Sequence, residues 1–296
     1  MRSKTSEELV YVYDAAAAWD WRTRLRELRQ YRFLLQSLVI RELKAKYKNS
    51  ILGVLWSLLN PLGLMLVFTI LFSVLSGSNA PRQYPVFVLV GLIPWRFFAG
   101  ALVSGSIAIT NNATLVKKVF FPRELLPVAT VLSNLVNFLF GFVVLVIFLY
   151  IFDLGLTVHA LWLPAILLTQ LIFTLGLSFI LSAVTTFYRD VLMILDVIIQ
   201  AWFFLTPVFY SFETFFGDSS TILGITFNPT QLMRWVNPMA SIIDGYRTVL
   251  WGTQGSLGPV SMNPEYLLRT LIESILILII GYAIFIRTEH LFGEKM

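Results

Sequence analysis

Four stretches of this chain, residues 51–80, 97–116, 125–152 and 154–188, each hold twenty or more positions without one Asp, Glu, Lys or Arg. The hydrocarbon core of a bilayer is crossed by about 20 apolar residues of helix, so each run is long enough to span it. Composition agrees: 57% of the chain is hydrophobic and 13% charged, against roughly 25% charged in a soluble domain.

The second run extends back to Tyr84 through "YPVFVLVGLIPWRFFAG", where Arg96 is the one charge and Pro94 the punctuation. Val191–Phe209 and Tyr266–Ile286 complete six predicted spans, interrupted by Asp196 and by Arg269 and Glu273. Of the 22 Lys and Arg, all but Arg82, Arg96, Arg234, Arg247 and Arg269 fall in the N-terminal region, the 110–124 loop, the turn at Arg189 or the tail. That bias predicts both termini in the cytoplasm and makes "LVKKVFFPRELLPV" part of a cytoplasmic loop. The net charge of +5 therefore follows topology, and no nucleic-acid partner is expected.

The expected fold class is an all-α integral membrane protein with an amphipathic interface helix and short outer re-entrant helices. Residues 1–32 form a cytoplasmic extension, 33–56 the interface helix, 57–287 the six-span domain and 288–296 the tail. The start of the chain lacks a 7–15-residue apolar core with a small-residue cleavage site, so it is expected to stay in the mature protein. "RFLLQSLVIRELKAKYKNS" sets Leu34, Leu35, Leu38 and Val39 on one side and Arg41, Lys44, Lys46 and Lys48 largely elsewhere, as a basic helix on an anionic inner leaflet would. In the outer segment, 211–264, Asn237 reads as an N-cap with Pro238 at the first helical position. Met239, Ile242, Ile243, Tyr246 and Leu250 then form an apolar face, leaving Asp244 and Arg247 on a polar one.

Chemistry is sparse. There is no cysteine, His159 lacks a His or Glu at i+3 or i+4, and His290 has Glu294 alone there, so no metal site and no catalytic set is expected. No phosphate-binding Gly-x-x-x-x-Gly-Lys-Ser/Thr loop occurs. Energy for any transport must be bound elsewhere. Arg269 and Glu273 stand i,i+4 as a self-neutralising pair, and Asp196 lies about 9 Å of helix beyond Asp190. Arg96 either snorkels to headgroups or faces a polar cavity at the outer end of a path. Trp95, Phe97, Phe98, Trp202 and Tyr210 serve either as interfacial belts or, with Arg96, as the lining of a sugar path, since rings pack against the CH face of a pyranose.

Four stretches, taken in order on this topology, carry a resemblance: "LVIRELKAKYKNSILGVLWSLLNPL", "LVKKVFFPRELLPV", "YRDV" with "FLTPVFYS", and "NPMASIIDGYRTVLWG". They are similar to the membrane permease of ATP-binding-cassette type-2 exporters, in the branch that exports O-antigen, capsular polysaccharide or teichoic acid. The likeness runs from Phe33 to Ile286. It implies two copies of the chain joined to two separately encoded cytoplasmic ATPase subunits, which hold the ATP and Mg; no cofactor is expected on this chain.

By the same resemblance, Arg41, Glu42, Lys44 and Lys46 of the interface helix meet the ATPase. Lys117, Lys118, Phe120, Phe121, Arg123 and Glu124 form the coupling element, with Phe120 and Phe121 giving its apolar face, unless the loop is simply a positive anchor. Asn237, Pro238, Asp244 and Arg247 fall in the outer gate. The sequence departs from compact members in its N-terminal extension and in the enlarged outer loop "ETFFGDSSTILGITFNPT". The implied activity is ATP-driven export of a lipid-linked polysaccharide across the bacterial inner membrane, among membrane lipids. Export of a drug or small lipid, or a membrane transferase reaction, are the competing classes.

Overall fold

The computed structural model describes residues 29–53, 55–75, 82–211, 220–222, 225–252 and 258–295. The expectations for the N-terminal extension and for part of the enlarged outer loop fall outside the described residues. The helices are α1 (Arg32–Tyr47), α2 (Leu55–Leu75), α3 (Tyr84–Ser106), α4 (Ala113–Lys118), α5 (Leu125–Ile151), α6 (Leu163–Phe187), α7 (Val191–Leu205), α8 (Pro229–Val236), α9 (Pro238–Leu250), α10 (Pro264–Glu289) and α11 (Phe292–Lys295). A small hairpin, β1 (Ser220–Ile222) with β2 (Ile225–Phe227), precedes α8.

Apart from that hairpin the regular structure of the described residues is helical, as expected. The hairpin's antiparallel register pairs Ser220 with Phe227, Thr221 with Thr226 and Ile222 with Ile225. Among the described residues five helices, α2, α3, α5, α6 and α10, are long and apolar enough to cross a membrane. The fifth predicted span is shorter than expected: α7 is apolar but has 15 residues, about 22 Å of helix. It stops at Leu205 because Pro207 cannot continue the backbone hydrogen-bond ladder. The interface helix also ends early, at Tyr47, where Asn49 and Gly53 take positive φ before α2 begins.

Buried side chains run along almost the whole of α3, which is the central helix, whereas α2 lies at the periphery with most of its apolar surface uncovered. The most extensive packing joins α6 to α10. There Gly176 faces Gly281 so closely that a Cβ added at Gly281 would lie 2.2 Å from the Gly176 carbonyl oxygen. Small residues let two membrane helices meet backbone to backbone, which replaces the hydrophobic drive that lipid cannot supply. Hydroxyls near this seam fold back on their own helices, as Thr174 does to the Gln170 carbonyl at 2.7 Å and Ser274 to Thr270 at 2.6 Å. Their polarity is thereby hidden.

Two apolar cores result. The larger gathers Phe87, Leu92, Phe98, Phe173, Ile243 and Tyr246, and the other joins Leu38 of α1 to Val116, Phe121, Leu125, Phe179, Phe285 and Phe292. The second core lies at the end of the bundle that carries α1, α4 and α11, here the basal end. The first reaches the end that carries α8 and α9.

Candidate functional site

At the basal end, α4 and the segment after it present a narrow exposed tip. Lys117, Lys118 and Val119 are exposed, and Phe120 stands out with 83% of its surface open. Phe121 was expected beside it on the docking face and is instead only 6% exposed, packed in the basal core. The chain is extended at Val119, which turns successive side chains to opposite sides and sends Phe120 out and Phe121 in.

Arg123 and Glu124 also turn inward. Arg123 donates to the backbone carbonyl of Glu289, and Glu124, 1% exposed, accepts from the Tyr282 hydroxyl at 3.5 Å. Both residues clamp the loop to the end of α10, and the buried carboxylate of Glu124 sits where α5 begins and the helix dipole favours negative charge. The exposed tip of the loop therefore reduces to Lys117, Lys118, Val119 and Phe120.

Helix α1 is tied to this loop. Arg41 donates to Glu42 at 2.9 Å and to the Asn112 side-chain oxygen at 2.5 Å, while Asn112 donates to the Ala108 carbonyl at 2.8 Å. Lys44 and Lys46 are both exposed, and Lys46 also lines a cavity in the side of the bundle.

This cavity holds about 620 Å³ and opens between α1, α2 and α7 against the flanks of α3 and α5. Aromatic residues Trp56, Trp95, Phe97 and Phe138 line it, with amides from Asn60, Asn134, Asn137 and Gln200 and charges from Lys46, Arg96 and Asp196. Arg96 donates to Asn60 at 2.9 Å, Lys46 to Asn134 at 3.4 Å and Tyr47 to Asn137 at 2.5 Å. Desolvation, and secondarily the Arg96 charge, lower the pKa of the Lys46 ammonium from its ordinary value. Arg96, itself exposed, lines this cavity, which lies beside α1 and not at the α8–α9 end.

The aromatic residues expected to line a path divide accordingly. Trp95 and Phe97 border the cavity, whereas Phe98, Trp202 and Tyr210 do not. Phe98 stacks on Phe173 with centroids 5.5 Å apart, Trp202 meets Phe98 edge-on at 5.1 Å, and the Tyr210 hydroxyl donates to Phe204. These three close the core because ring pairs in such geometries stabilise packing beyond their area alone.

At the opposite end Asn237 caps α9 as expected, accepting from the Ala240 N–H at 3.3 Å with Pro238 next in the helix. The same amide receives the Trp202 indole N–H at 2.8 Å and donates to the Thr206 hydroxyl at 2.9 Å, so one side chain joins α7, α8 and α9. Asp244 is half-buried and pairs with Arg234 at 3.2 Å. Arg247 was expected on the same polar face and is 5% exposed. It donates to the carbonyls of Val208 at 2.7 Å and Tyr210 at 3.1 Å, over the Phe87 ring at 3.8 Å. Backbone carbonyls released where α7 breaks need donors in an apolar setting, and those donors outweigh the cost of burying one guanidinium.

Arg269 and Glu273 form the expected i,i+4 pair at 3.6 Å. Among the described residues no group of three or more His, Cys, Asp or Glu could hold a metal ion.

A bundle of long apolar helices with a largely apolar, amide-bearing cavity in its flank and a basic, aromatic-tipped loop beneath it defines a polytopic membrane protein of the transporter class. The chain belongs to the ABC-2 type transporter family, whose model matches residues 34–251. It is 39% identical over 227 residues to the O-antigen export system permease protein RfbA of Myxococcus xanthus, covering 77% of this chain and 84% of that one. Two proteins of the same description from Klebsiella pneumoniae are each 30% identical over 262 residues, covering 88% of this chain and 94% of theirs. It is a multi-pass protein of the bacterial inner membrane.

Proposed function

We propose that the chain is the membrane-spanning subunit of an ATP-driven exporter that moves a lipid-linked polysaccharide of the O-antigen type from the cytoplasmic to the outer side of the inner membrane. The observation that carries this reading is the flank cavity of about 620 Å³, with indole and phenyl faces beside side-chain amides. Rings take the CH face of a sugar while amides serve its hydroxyls, and a glycan needs both to leave water. The similarity to proteins described as O-antigen export permeases supports the same substrate class.

In this account α2, α3, α5, α6, α7 and α10 are the six spans, with residues 206–210 completing the short α7. Both termini face the cytoplasm, and α8 and α9 enter the outer leaflet from outside. Two ATPase subunits, holding ATP and Mg, meet Lys117, Lys118 and Phe120 together with Arg41, Glu42 and Lys44. A second copy of the chain faces the cavity, so that α2 and α7, whose Leu59, Leu66, Val67, Met193 and Val197 are exposed, gain cover from that copy or from lipid. ATP-driven closure of the ATPases would push the basal loop, and through Arg41–Asn112 and Arg123–Glu289 shift α1 and α10 together.

Deleting the chain from its own bacterium tests the proposal. Loss of surface polysaccharide, with lipid-linked polysaccharide accumulating inside and rescue by the intact chain, is the expected result. Unchanged surface polysaccharide, with resistance to a hydrophobic drug lost instead, would assign the exporter to small molecules.

A further inference from the structure

Arg96 and Lys46 come from distant parts of the sequence, one from the middle of α3 and one from the last turn of α1, yet both line the same cavity. Each holds a neutral amide, Asn60 for Arg96 and Asn134 for Lys46. Among the described residues neither forms an ion pair, although Asp196 borders the same space. Two exposed cations in one open cavity, with one carboxylate at its edge, leave an excess of positive charge with unused N–H donors. Charges at membrane depth are costly and are normally paired. An arrangement that omits the partner is complementary to an anion that arrives with the ligand.

From this geometry we propose that Arg96 and Lys46 form a binding site for the phosphate or diphosphate group of a lipid, at the basal mouth of the cavity. The guanidinium offers a planar fork to phosphate oxygens and the ammonium a mobile point charge, a combination suited to a group with several equivalent oxygens. A lipid is the source that the surroundings favour. The mouth is bordered by Trp56 of α2, whose apolar face is uncovered beyond it at Leu59, Leu66 and Val67, so an acyl or prenyl tail can lie along α2 while its headgroup rests on the two cations. The inference rests on the proposed export function, because it assigns the charged end of the carrier to a fixed point from which the glycan enters the cavity.

The test uses the full chain in phosphatidylcholine nanodiscs, with tryptophan fluorescence as the readout, since Trp56 and Trp95 border the site. Farnesyl diphosphate, inorganic pyrophosphate and farnesol are titrated separately. Saturable binding of farnesyl diphosphate is expected, weakened about tenfold or more by Arg96→Gln and by Lys46→Gln, retained in Arg96→Lys and unchanged in Lys48→Gln. Tighter binding of farnesyl diphosphate than of pyrophosphate supports a lipid headgroup; equal binding of the two overturns the lipid assignment in favour of a free anion. Lys46 stands on a surface helix, so Lys46→Gln carries the test if Arg96→Gln does not fold. Binding of farnesol as tight as that of farnesyl diphosphate, or binding indifferent to both charge-removing variants, overturns the inference. If such variants still export polysaccharide normally, the site fails while the export function stands.

Discussion

The guanidinium of Arg247 donates to the carbonyl of Val208 at 2.7 Å, across the break that ends α7. Gly91 of α3 makes room for this contact: a Cβ there would lie 2.6 Å from the Val208 oxygen and 3.0 Å from the Arg247 Nη2. Helix ends leave carbonyls without partners, and Pro207 has no N–H to offer in return. One buried arginine thus holds the shortened span, the central helix and α9 in register.

Replacing Arg247 by Met keeps the apolar stem and removes both donors. Stranding the two carbonyls is expected to cost about 1–3 kcal/mol apiece, read as a lower midpoint of thermal unfolding in detergent. An unchanged midpoint would show that the carbonyls find other donors.

Gly281→Ala brings a methyl against the Gly176 carbonyl at the tightest contact between α6 and α10. Overpacking of this kind costs about 1–3 kcal/mol. The variant should insert yet show reduced monodisperse yield on size exclusion, whereas Gly293→Ala, with open space around its Cβ, should match the parent.

Phe120 and Phe121 are neighbours in sequence with opposite roles. Phe120→Ala should leave thermal stability within about 0.5 kcal/mol while lowering the export rate. Phe121→Ala should lower stability by about 3–5 kcal/mol, because it empties part of the basal core. Equal thermal shifts in the two variants would contradict the inside-out arrangement of the loop.

The bond from Arg41 to Asn112 is the direct polar link between α1 and the segment leading into α4. Asn112→Ala removes it together with the bond to the Ala108 carbonyl, and a charged hydrogen bond contributes about 1.5–3 kcal/mol. ATP hydrolysis by the assembled complex should then continue while export falls, measured as glycan moved per ATP consumed. A ratio equal to that of the parent complex would remove this bond from the coupling route.

Much of the architecture was legible because lipid imposes length and apolarity on any spanning helix, and the long uncharged runs carry that imprint directly. The Asn237 cap and the Arg269–Glu273 pair were legible for a related reason, since each is made within a few residues of chain. What escaped depends on tertiary neighbours. Periodicity put Arg247 on a polar face, but the carbonyls it serves lie in a segment some 40 residues earlier, so its burial had no local signal. The pairing of Phe120 with Phe121 followed from adjacency alone, while the extended backbone at Val119 decides which ring faces out. Lys46 and Arg96 share a cavity through the packing of α1 on α5, which no spacing records. The short α7 ends just before Pro207, and what its length did not show is that the carbonyls of Val208 and Tyr210 beyond it find their donors on Arg247 of α9.

The most direct measurement follows glycan across a membrane. Proteoliposomes holding this chain with its ATPase partner are supplied with lipid-linked polysaccharide on the ATPase side. The account predicts ATP-dependent appearance of glycan on the far side, abolished without ATP and in a complex carrying Lys117→Glu and Lys118→Glu, whose chain still inserts. Glycan that stays on the ATPase side in a complex that binds it and hydrolyses ATP, or that crosses equally without ATP, would contradict the account.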